Sequence, residues 1–360
     1  MKVLMMSDAQ NTHTKRWVKS LAEKGVEILL FSLSGNESYY DTMPNVRLVI
    51  CNMDVKGRLL GKLKYFTVVG KLKRCIEEFK PDVLHAHYLS SYGLLGALSG
   101  FHPYIISVWG SDVYDFPNHA PFGKNIVRFA LSKADKILST SHVMAEETRK
   151  YTDKDIEITP FGVDTSCFRK INGIQLVNEF VVGNVKTLEP QYGIDVLIEA
   201  FKIVIDNNPL LKLRLEIYGK GAYRNEYEKL AKKLGIEKQT EFKGFIANDL
   251  LPEVYNSMSV AVSVSICDES FGVVAVEAMA CECPVITSDA VGFKEVVDDG
   301  NTGYIVPKHN PKATAEAIQK FIDNPKLRQE LGAKGRRHVQ ELYEWDDNVL
   351  QVLEIYRRIL

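Results

Sequence analysis

The chain has 360 residues, of which 46% are hydrophobic and 25% are charged, and its formal net charge is -1. A chain of this length exceeds what one hydrophobic core usually supports, so we expect two domains of an ordinary globular protein. The nearly neutral charge argues against a general nucleic-acid binder, because no overall positive field would attract phosphate backbones. The six scattered cysteines predict buried thiols and not a disulfide framework.

The amino-terminal residues predict a βαβ unit of a parallel sheet. Residues 3–6 and 26–33 are apolar strands, and residues 14–24 form an amphipathic helix that ends at Gly25. Parallel sheets bind ligands beyond the carboxyl ends of their strands, so we expect the loop at residues 11–13 to lie near a ligand. The loop has no G-x-G-x-x-G motif, which argues against a nicotinamide enzyme.

Hydropathy and charge along the chain predict a cytoplasmic protein. The first apolar run is too short for the core of a signal peptide, and no segment approaches the roughly 20 apolar residues of a membrane-spanning helix. Residues 56–74 carry seven basic residues and no acidic one, with apolar residues at helical spacing. This helix is either an attachment site for the inner, anionic face of a membrane, as in a peripheral membrane protein, or a surface helix packed on the core.

Two further predicted strands, at residues 81–87 and 104–108, end in polar or aromatic side chains. His85 and His87 share one face of the first strand, but no third ligand at suitable spacing supports a metal site. The second strand leads to Asp112, which is either a contact for an acceptor or sugar or an ordinary turn or N-cap carboxylate.

The second half of the chain repeats the alternation of strands and helices. Residues 165–178 lose periodicity, as a linker does, and a strand at 179–183 precedes a loop at 184–193. A helix at 194–207 and a strand at 213–218 follow, which predicts a second doubly wound sheet. The chain ends in charged amphipathic helices.

The segment at residues 267–300 contains the most informative pattern. Glu269 lies in a loop, a helix starts at Gly272, and Glu277 follows about one and a half turns into that helix. A helix N-terminus suits a phosphate, so the N–H groups around Ser270, Phe271, Gly272 and Val273 predict a diphosphate site. The two carboxylates would then face the sugar and the ribose of a nucleotide sugar.

The string E-S-F-G-x-x-x-x-E, followed by A-M-A-x-x-x-P-V-I and G-F-K-E-V-V-x-D-G-x-T-G, resembles the carboxy-half signature of family 4 glycosyltransferases. F-G-V-D at residues 161–164 matches the family's usual string between domains. The resemblance implies the α/β GT-B fold, two Rossmann-like doubly wound domains that face each other across a cleft. It implies an acceptor-binding domain at 1–165, a nucleotide-sugar-binding domain at 166–344, and a helix at 345–360 that returns to the first domain.

The resemblance also implies how the donor's diphosphate is held. Family members place an Arg or Lys in the first loop of the second domain and a Lys about five or six positions later. Lys186 matches the first position, whereas the second falls on Gln191 or Tyr192, neither of them cationic. Either Lys220 supplies the missing charge, or charge compensation is weaker, or the donor differs from the usual one.

Further roles follow from the same resemblance. His87 is expected to line the cleft, and Trp109 stands where many relatives have a histidine. Glu269 would hold the transferred sugar and Glu277 the ribose hydroxyls. Whether Glu269 also acts as a nucleophile stays open, since the family is usually described by same-face attack without a covalent intermediate.

The sequence therefore predicts a retaining hexosyltransferase that moves a sugar from a nucleotide diphosphate sugar to a carbohydrate or lipid-linked acceptor, in cell-surface polysaccharide or glycolipid synthesis. If Lys186 and the N–H groups at the helix start suffice to hold the diphosphate, no metal is needed, so we expect no metal and no cofactor besides the donor. Two alternatives stay open. One is a GT-B epimerase or phosphorylase, and the other is a non-catalytic nucleotide-sugar-binding protein, which Gln191 and Trp109 favour.

Overall fold

The computed structural model describes residues 1–35, 38–52, 60–174 and 179–360. The chain divides into two compact units. Unit 1 contains Met1–Phe161 and Asp346–Leu360, and unit 2 contains Gly162–Trp345. Each unit is built on one parallel sheet, so the predicted pair of Rossmann-like α/β domains is confirmed.

The sheet of unit 1 has seven parallel strands, and its central strands are buried along most of their length. Such continuous apolar strands are typical of parallel sheets that helices cover on both faces. The strands are β1 (Lys2–Met6), β2 (Glu27–Ser32), β3 (Val46–Ile50), β4 (Val83–His87), β5 (Tyr104–Val108), β6 (Lys136–Ser139) and β7 (Ile156–Ile158), in the order β3-β2-β1-β4-β5-β6-β7.

Helices connect most of the strands of unit 1, and three of them lie between β5 and β6. They are α1 (Thr12–Glu23), α2 (Leu60–Phe79), α3 (Leu94–Ser99), α4 (Ser111–Tyr114), α5 (Phe116–His119), α6 (Gly123–Lys133) and α7 (His142–Arg149). Helix α1 begins two residues earlier than predicted, because the side chain of Asn11 accepts a hydrogen bond from His13 N and caps the helix.

Unit 2 contains a six-stranded parallel sheet in the order β10-β9-β8-β11-β12-β13. Its strands are β8 (Phe180–Val185), β9 (Leu213–Tyr218), β10 (Thr240–Gly244), β11 (Val260–Ser263), β12 (Val285–Ser288) and β13 (Gly303–Val306). Its helices are α8 (Ile194–Asn207), α9 (Arg224–Lys233), α10 (Leu251–Ser257), α11 (Val273–Ala280), α12 (Val291–Val296), α13 (Pro311–Asp323) and α14 (Pro325–Leu342).

The last helix, α15 (Trp345–Ile359), returns to unit 1, as predicted. Tyr356 on this helix is fully buried, and its hydroxyl lies 2.6 Å from Nδ1 of His85 on β4. Gln351 donates a hydrogen bond to the carbonyl of Ile158 at the end of β7. A buried polar contact and an edge-strand contact therefore fix α15 on the first sheet.

The basic segment at residues 56–74 is helical from Leu60 onward, and its first residues lie outside the described part of the chain. Val68 and Leu72 are buried in the core of unit 1, whereas Lys73 and Arg74 are exposed. This packing favours a surface helix whose apolar side covers the core. Within the described ranges, no helix has both the length and the apolar character needed to cross a membrane.

Each sheet has one point at which the strand order reverses. In unit 1 the reversal lies between β1 and β4, and in unit 2 it lies between β8 and β11. In open α/β sheets, ligands bind beyond the carboxyl ends of the strands at these switch points. The residues that follow β1, β4, β8 and β11 are therefore the first candidates for functional sites.

Candidate active site

The loops after β8 and β11 are joined to each other at the switch point of unit 2. The carbonyl of Gln191 accepts hydrogen bonds from Ile266 N at 2.9 Å and from Cys267 N at 3.2 Å. Gly193 has a φ of +64°, and a Cβ atom there would lie 2.1 Å from the carbonyl oxygen of Val264. Only glycine permits this approach, so the two loops form one surface at the carboxyl edge of the sheet.

Lys186 and Glu269 meet on this surface. Nζ of Lys186 lies 2.8 Å from Oε1 of Glu269, and the two side chains are only 15% and 13% exposed. The hydroxyl of Ser265 donates a hydrogen bond of 2.6 Å to the same carboxylate oxygen. The structure therefore brings the predicted cation and the predicted sugar-binding carboxylate into one ion pair.

Tyr192 is one of the two positions at which the family resemblance implied a second cation. Its ring centroid lies 4.6 Å from Nζ of Lys186, within the range of a cation–π contact. The side chain of Gln191 is exposed, so it is the main chain of this residue that holds the neighbouring loop. A neutral ring thus supports the one lysine that the motif retains.

The turn after β9 packs against the backbone of the Lys186 loop. A Cβ atom at Gly219 would lie 1.9 Å from the carbonyl oxygen of Lys186, and one at Gly221 would lie 2.2 Å from that of Leu188. Lys220, between these glycines, is exposed, and its Nζ lies 4.8 Å from the ring centroid of Phe245. The turn therefore brings a second lysine to the same edge of the sheet.

Helix α11 begins beside Glu269, at Gly272. This glycine has a φ of +104°, and a Cβ atom there would lie 2.8 Å from the ring of Phe293. Phe271 is buried, Ser270 and Val273 are half-buried, and Gly292 N donates a hydrogen bond of 3.0 Å to the carbonyl of Glu269. The N-terminal turn of α11 is thereby held next to the carboxylate.

Glu277 lies in the body of α11 and is 7% exposed. The hydroxyl of Tyr255 donates a hydrogen bond of 3.1 Å to its Oε2 atom. Burial, together with the charge of Glu277, raises the pKa of Tyr255 well above its usual value, so this tyrosine stays a donor. The Glu277 carboxylate is therefore oriented from within unit 2.

Sequence reasoning missed Lys308 as a cation of this region. Its Nζ lies 2.6 Å from Oδ1 of Asp268, the residue before Glu269, and its backbone N–H donates to Asp289. Lys308 follows β13, so the rule that ligands bind at the carboxyl edge of a parallel sheet was the signal that could have identified it.

The two candidate site residues of unit 1, Asp112 and His87, are both buried. Asp112 is fully buried, and its carboxylate accepts hydrogen bonds from Leu89 N, Gly110 N and Trp109 N. Burial raises the pKa of Asp112 above its usual value, although these N–H groups favour its charged form. The carboxylate therefore holds the turn at Trp109 and Gly110 together with the backbone at Leu89.

His87 is also buried, and its ring centroid lies 4.8 Å from that of Trp109. Burial, and then the neighbouring His85 and His13, lower the pKa of His87 well below 6.5, so its ring is neutral at pH 7. His87 therefore packs against the indole of Trp109 and is almost inaccessible to solvent. Among the described residues, no group of three His, Cys, Asp or Glu side chains is placed to hold a metal ion.

Two family models match the chain on either side of the junction between the units. The model "Glycosyl transferase 4-like" matches residues 2–141, and the model "Glycosyl transferases group 1" matches residues 169–338. An uncharacterized glycosyltransferase of Methanocaldococcus jannaschii is 28% identical over 100% of this chain and 99% of its own. A D-inositol 3-phosphate glycosyltransferase of Thermomonospora curvata is 27% identical over 96% of this chain and 89% of its own.

A similar fold is present in a solved structure of HepE from Anabaena in complex with UDP and glucose. The TM-score is 0.81 at 19% identity, over 99% of this chain and 100% of HepE. The two parallel-sheet units and these matches define the protein as a glycosyltransferase of the GT-B type. Within that class, the chain belongs to the family 4-like glycosyltransferases.

Proposed function

We propose that this protein is a retaining, metal-independent hexosyltransferase that uses a nucleoside diphosphate sugar as donor. The observation that carries the proposal is the ion pair of Lys186 and Glu269 at the switch point of unit 2, beside the N-terminus of α11. A hydroxyl of a carbohydrate or lipid-linked molecule is the acceptor, and cell-surface polysaccharide or glycolipid synthesis is the setting.

Catalysis of this reaction depends on the departing diphosphate. The bond from the sugar to the β-phosphate breaks, and negative charge develops on the phosphate oxygens. Preorganised positive groups aimed at such charge usually give the largest share of the rate enhancement. Lys186 and the N–H groups of Phe271, Gly272 and Val273 are such groups, and Lys220 and Lys308 add positive charge at the same sheet edge. These groups perform the task that a metal ion performs in other sugar transferases.

Donor binding exchanges the partner of Lys186. The diphosphate replaces the Glu269 carboxylate beside the ammonium, and Glu269 is released to accept a hydroxyl of the donor sugar. Glu277, oriented by Tyr255, accepts hydrogen bonds from the ribose hydroxyls. The acceptor oxygen attacks from the face that the phosphate leaves and gives its proton to the departing phosphate oxygen, so the new glycosidic bond keeps the configuration of the old one.

Binding measurements test the donor site directly. UDP is the first probe, because the structurally similar HepE was solved with it. Lys186→Ala is expected to weaken UDP binding about 10- to 100-fold, since a charge-assisted contact is worth about 1.5–3 kcal/mol. Lys202→Ala is the matched control, because Lys202 pairs with Asp206 on α8 away from the site. A panel in which no nucleoside diphosphate raises the melting temperature would overturn the proposal.

Product analysis separates the proposed reaction from the alternatives. Release of nucleoside diphosphate that depends on an acceptor, with an unchanged anomeric configuration by NMR and full activity in EDTA, supports a retaining metal-independent transferase. Conversion of the labelled donor sugar without acceptor would instead indicate an epimerase. Binding without turnover would indicate a nucleotide-sugar-binding protein.

The proposed location is the cytoplasm, with peripheral attachment to an anionic membrane. Lys73 and Arg74 of α2 are exposed, which supports an electrostatic contact with anionic lipid. Because Val68 and Leu72 are buried in the core, this contact depends on charge and should disappear in high salt. Sedimentation with phosphatidylglycerol vesicles at low and high salt tests it, and equal binding to phosphatidylcholine would refute it.

A further inference from the structure

A cavity lies at the switch point of unit 1. Its volume is about 300 Å³, and it opens beyond the carboxyl ends of β1, β2 and β4. Its walls contain the aromatic side chains of Tyr88, Tyr92 and Trp109, three serines, the amide of Asn11 and the carboxylate of Asp8. Aromatic faces and short hydroxyl, amide and carboxylate groups are the groups that bind a sugar ring or a polyol.

The charge of the residues that line the cavity does not favour an anionic ligand. The described residues that line it include one carboxylate, Asp8, and no cation. His13, in the first turn of α1, adds no positive charge at neutral pH, because burial, and then the charge of Arg16, lower its pKa to about 4. A phosphate in this cavity would therefore face the Asp8 carboxylate, with no cation among the described lining residues.

The N-terminus of α1, which could otherwise attract a phosphate, is already occupied by the protein's own groups. Oδ1 of Asn11 accepts a hydrogen bond of 2.8 Å from His13 N, and Oδ1 of Asp8 accepts one of 3.0 Å from Gln10 N. These side chains satisfy N–H groups at the helix start and place a negative charge beside them. An incoming anion would have to compete with both.

The wall of the cavity is held in an uncommon backbone conformation. Tyr88 has a φ of +75°, a value that non-glycine residues rarely adopt, and the π-helical turn Leu89–Gly93 follows it. The buried carboxylate of Asp112 accepts from Leu89 N and from Trp109 N, so it connects the two loops that carry Tyr88 and Trp109. Strained backbone that the surroundings hold in place is common at ligand sites. Asp112 is thus a positioning residue of this cavity.

From these observations we propose that the unit 1 cavity binds an uncharged, ring-sized polyol or sugar as the acceptor and discriminates against phosphorylated acceptors. A volume of about 300 Å³ is at the lower end for ligand pockets, which suits one ring and not an extended chain. This inference rests on the proposed transferase function. It also separates the chain from relatives named for D-inositol 3-phosphate, an anionic acceptor.

The test compares matched acceptors that differ only by a phosphate. Methyl glycosides and myo-inositol are each paired with a monophosphate, and kcat/KM is measured with a saturating donor. We expect the neutral member of the best pair to exceed its phosphate at least tenfold. A neutral glycolipid in detergent, compared with the free methyl glycoside, tells whether the ring comes from a lipid or from a soluble molecule.

Charge variants make the inference falsifiable. Ser34→Lys places a cation at the exposed rim of the cavity and should raise kcat/KM for the phosphorylated acceptor at least fivefold. Ser38→Lys adds the same charge at an exposed position outside the cavity lining and should not. Asp8→Asn should reduce the preference for the neutral acceptor. A preference for phosphates in the unaltered protein, or equal effects of the two lysine variants, would overturn the inference.

Failure of this inference is distinguishable from failure of the proposed function, because UDP binding depends on unit 2. Ser34→Lys and Asp8→Asn should leave the affinity for UDP unchanged. If no acceptor supports turnover, saturation-transfer NMR with the same acceptor pairs decides the question. Binding of the phosphates as tight as that of the neutral compounds would then refute the proposal.

Discussion

Glu269→Gln should change donor binding and sugar transfer in opposite directions. The substitution removes a negative charge but keeps the shape of the side chain and an amide oxygen that can accept from Ser265. In the structure the ammonium of Lys186 is paired with this carboxylate at 2.8 Å. A diphosphate must displace that carboxylate, so part of its interaction with Lys186 only replaces one already present. In the variant, the lysine has no competing partner.

The size of the effect follows from the burial of the pair. Exposed ion pairs contribute about 0–1 kcal/mol, and removal of one partner from a fully buried pair costs about 3–5 kcal/mol. Side chains that are 15% and 13% exposed lie between these limits. We therefore expect the competition to amount to about 1–2 kcal/mol, which is a 5- to 30-fold increase in UDP affinity for Glu269→Gln.

Isothermal titration calorimetry with UDP measures this directly. The set contains the unaltered protein, Glu269→Gln, Lys186→Met and the double variant, and the double variant should show no gain over Lys186→Met. Asp206→Asn, which removes the partner of the exposed Lys202, is the control and should change UDP affinity less than twofold. Transfer by Glu269→Gln should fall about 10-fold, since a charge-assisted hydrogen bond to the donor sugar becomes a neutral one. An unchanged or weaker UDP affinity would refute the exchange of partners.

Three further predictions concern stability. Gly193→Ala should lower the free energy of unfolding, measured by urea denaturation, by about 2–4 kcal/mol, because it combines a positive φ with a Cβ 2.1 Å from Val264 O. The control Gly25→Ala, at a φ of +82° but in open space, should lower it by only about 1–2 kcal/mol. Tyr356→Phe should cost about 1–3 kcal/mol, because it leaves a buried nitrogen of His85 without its partner. Burial lowers the pKa of His85 from 6.5 to about 3, so the unfolded chain binds a proton at this histidine before the folded protein does as the pH falls. The free energy of unfolding should therefore decline below about pH 6.5 by about 1.4 kcal/mol per pH unit from this group. A flat profile between pH 6.5 and 5 would contradict the burial of His85.

The order of elements, and the presence of Lys186 and Glu269 at one sheet edge, were predictable from the sequence for a physical reason. Apolar strands that alternate with amphipathic helices fold into parallel sheets, and the carboxyl ends of those strands meet at one edge. This rule alone places Lys186 and Glu269 on the same edge of the second sheet. The pairing itself was not predictable, because it depends on the close approach of Gly193 to Val264, which has no signature in periodicity.

Asp112 shows what the local sequence could not predict. A carboxylate after a strand predicts a ligand contact as readily as a turn, since the local sequence is the same in both cases. In the structure, Oδ2 of Asp112 accepts a hydrogen bond of 2.7 Å from Leu89 N, which is more than twenty positions away in the chain. Sequence reasoning could not foresee this contact, because only the fold brings the two residues together. Lys308 was missed for the same reason, because its relation to Asp268 exists only once β13 takes its place in the sheet.

The missing cation at Gln191 was one of the two features that favoured a degraded, non-catalytic site, and the neighbouring Tyr192 bears on that alternative. The ring of Tyr192 lies against the ammonium of Lys186, and a second cation at that place would instead repel it. The backbone around Lys186 is also tightly constrained, since Gly219 and Gly221 admit no Cβ against its loop. A loop packed to this degree holds its lysine between a carboxylate and a ring, as the proposed diphosphate site requires. The neutral residue is therefore compatible with an intact donor site.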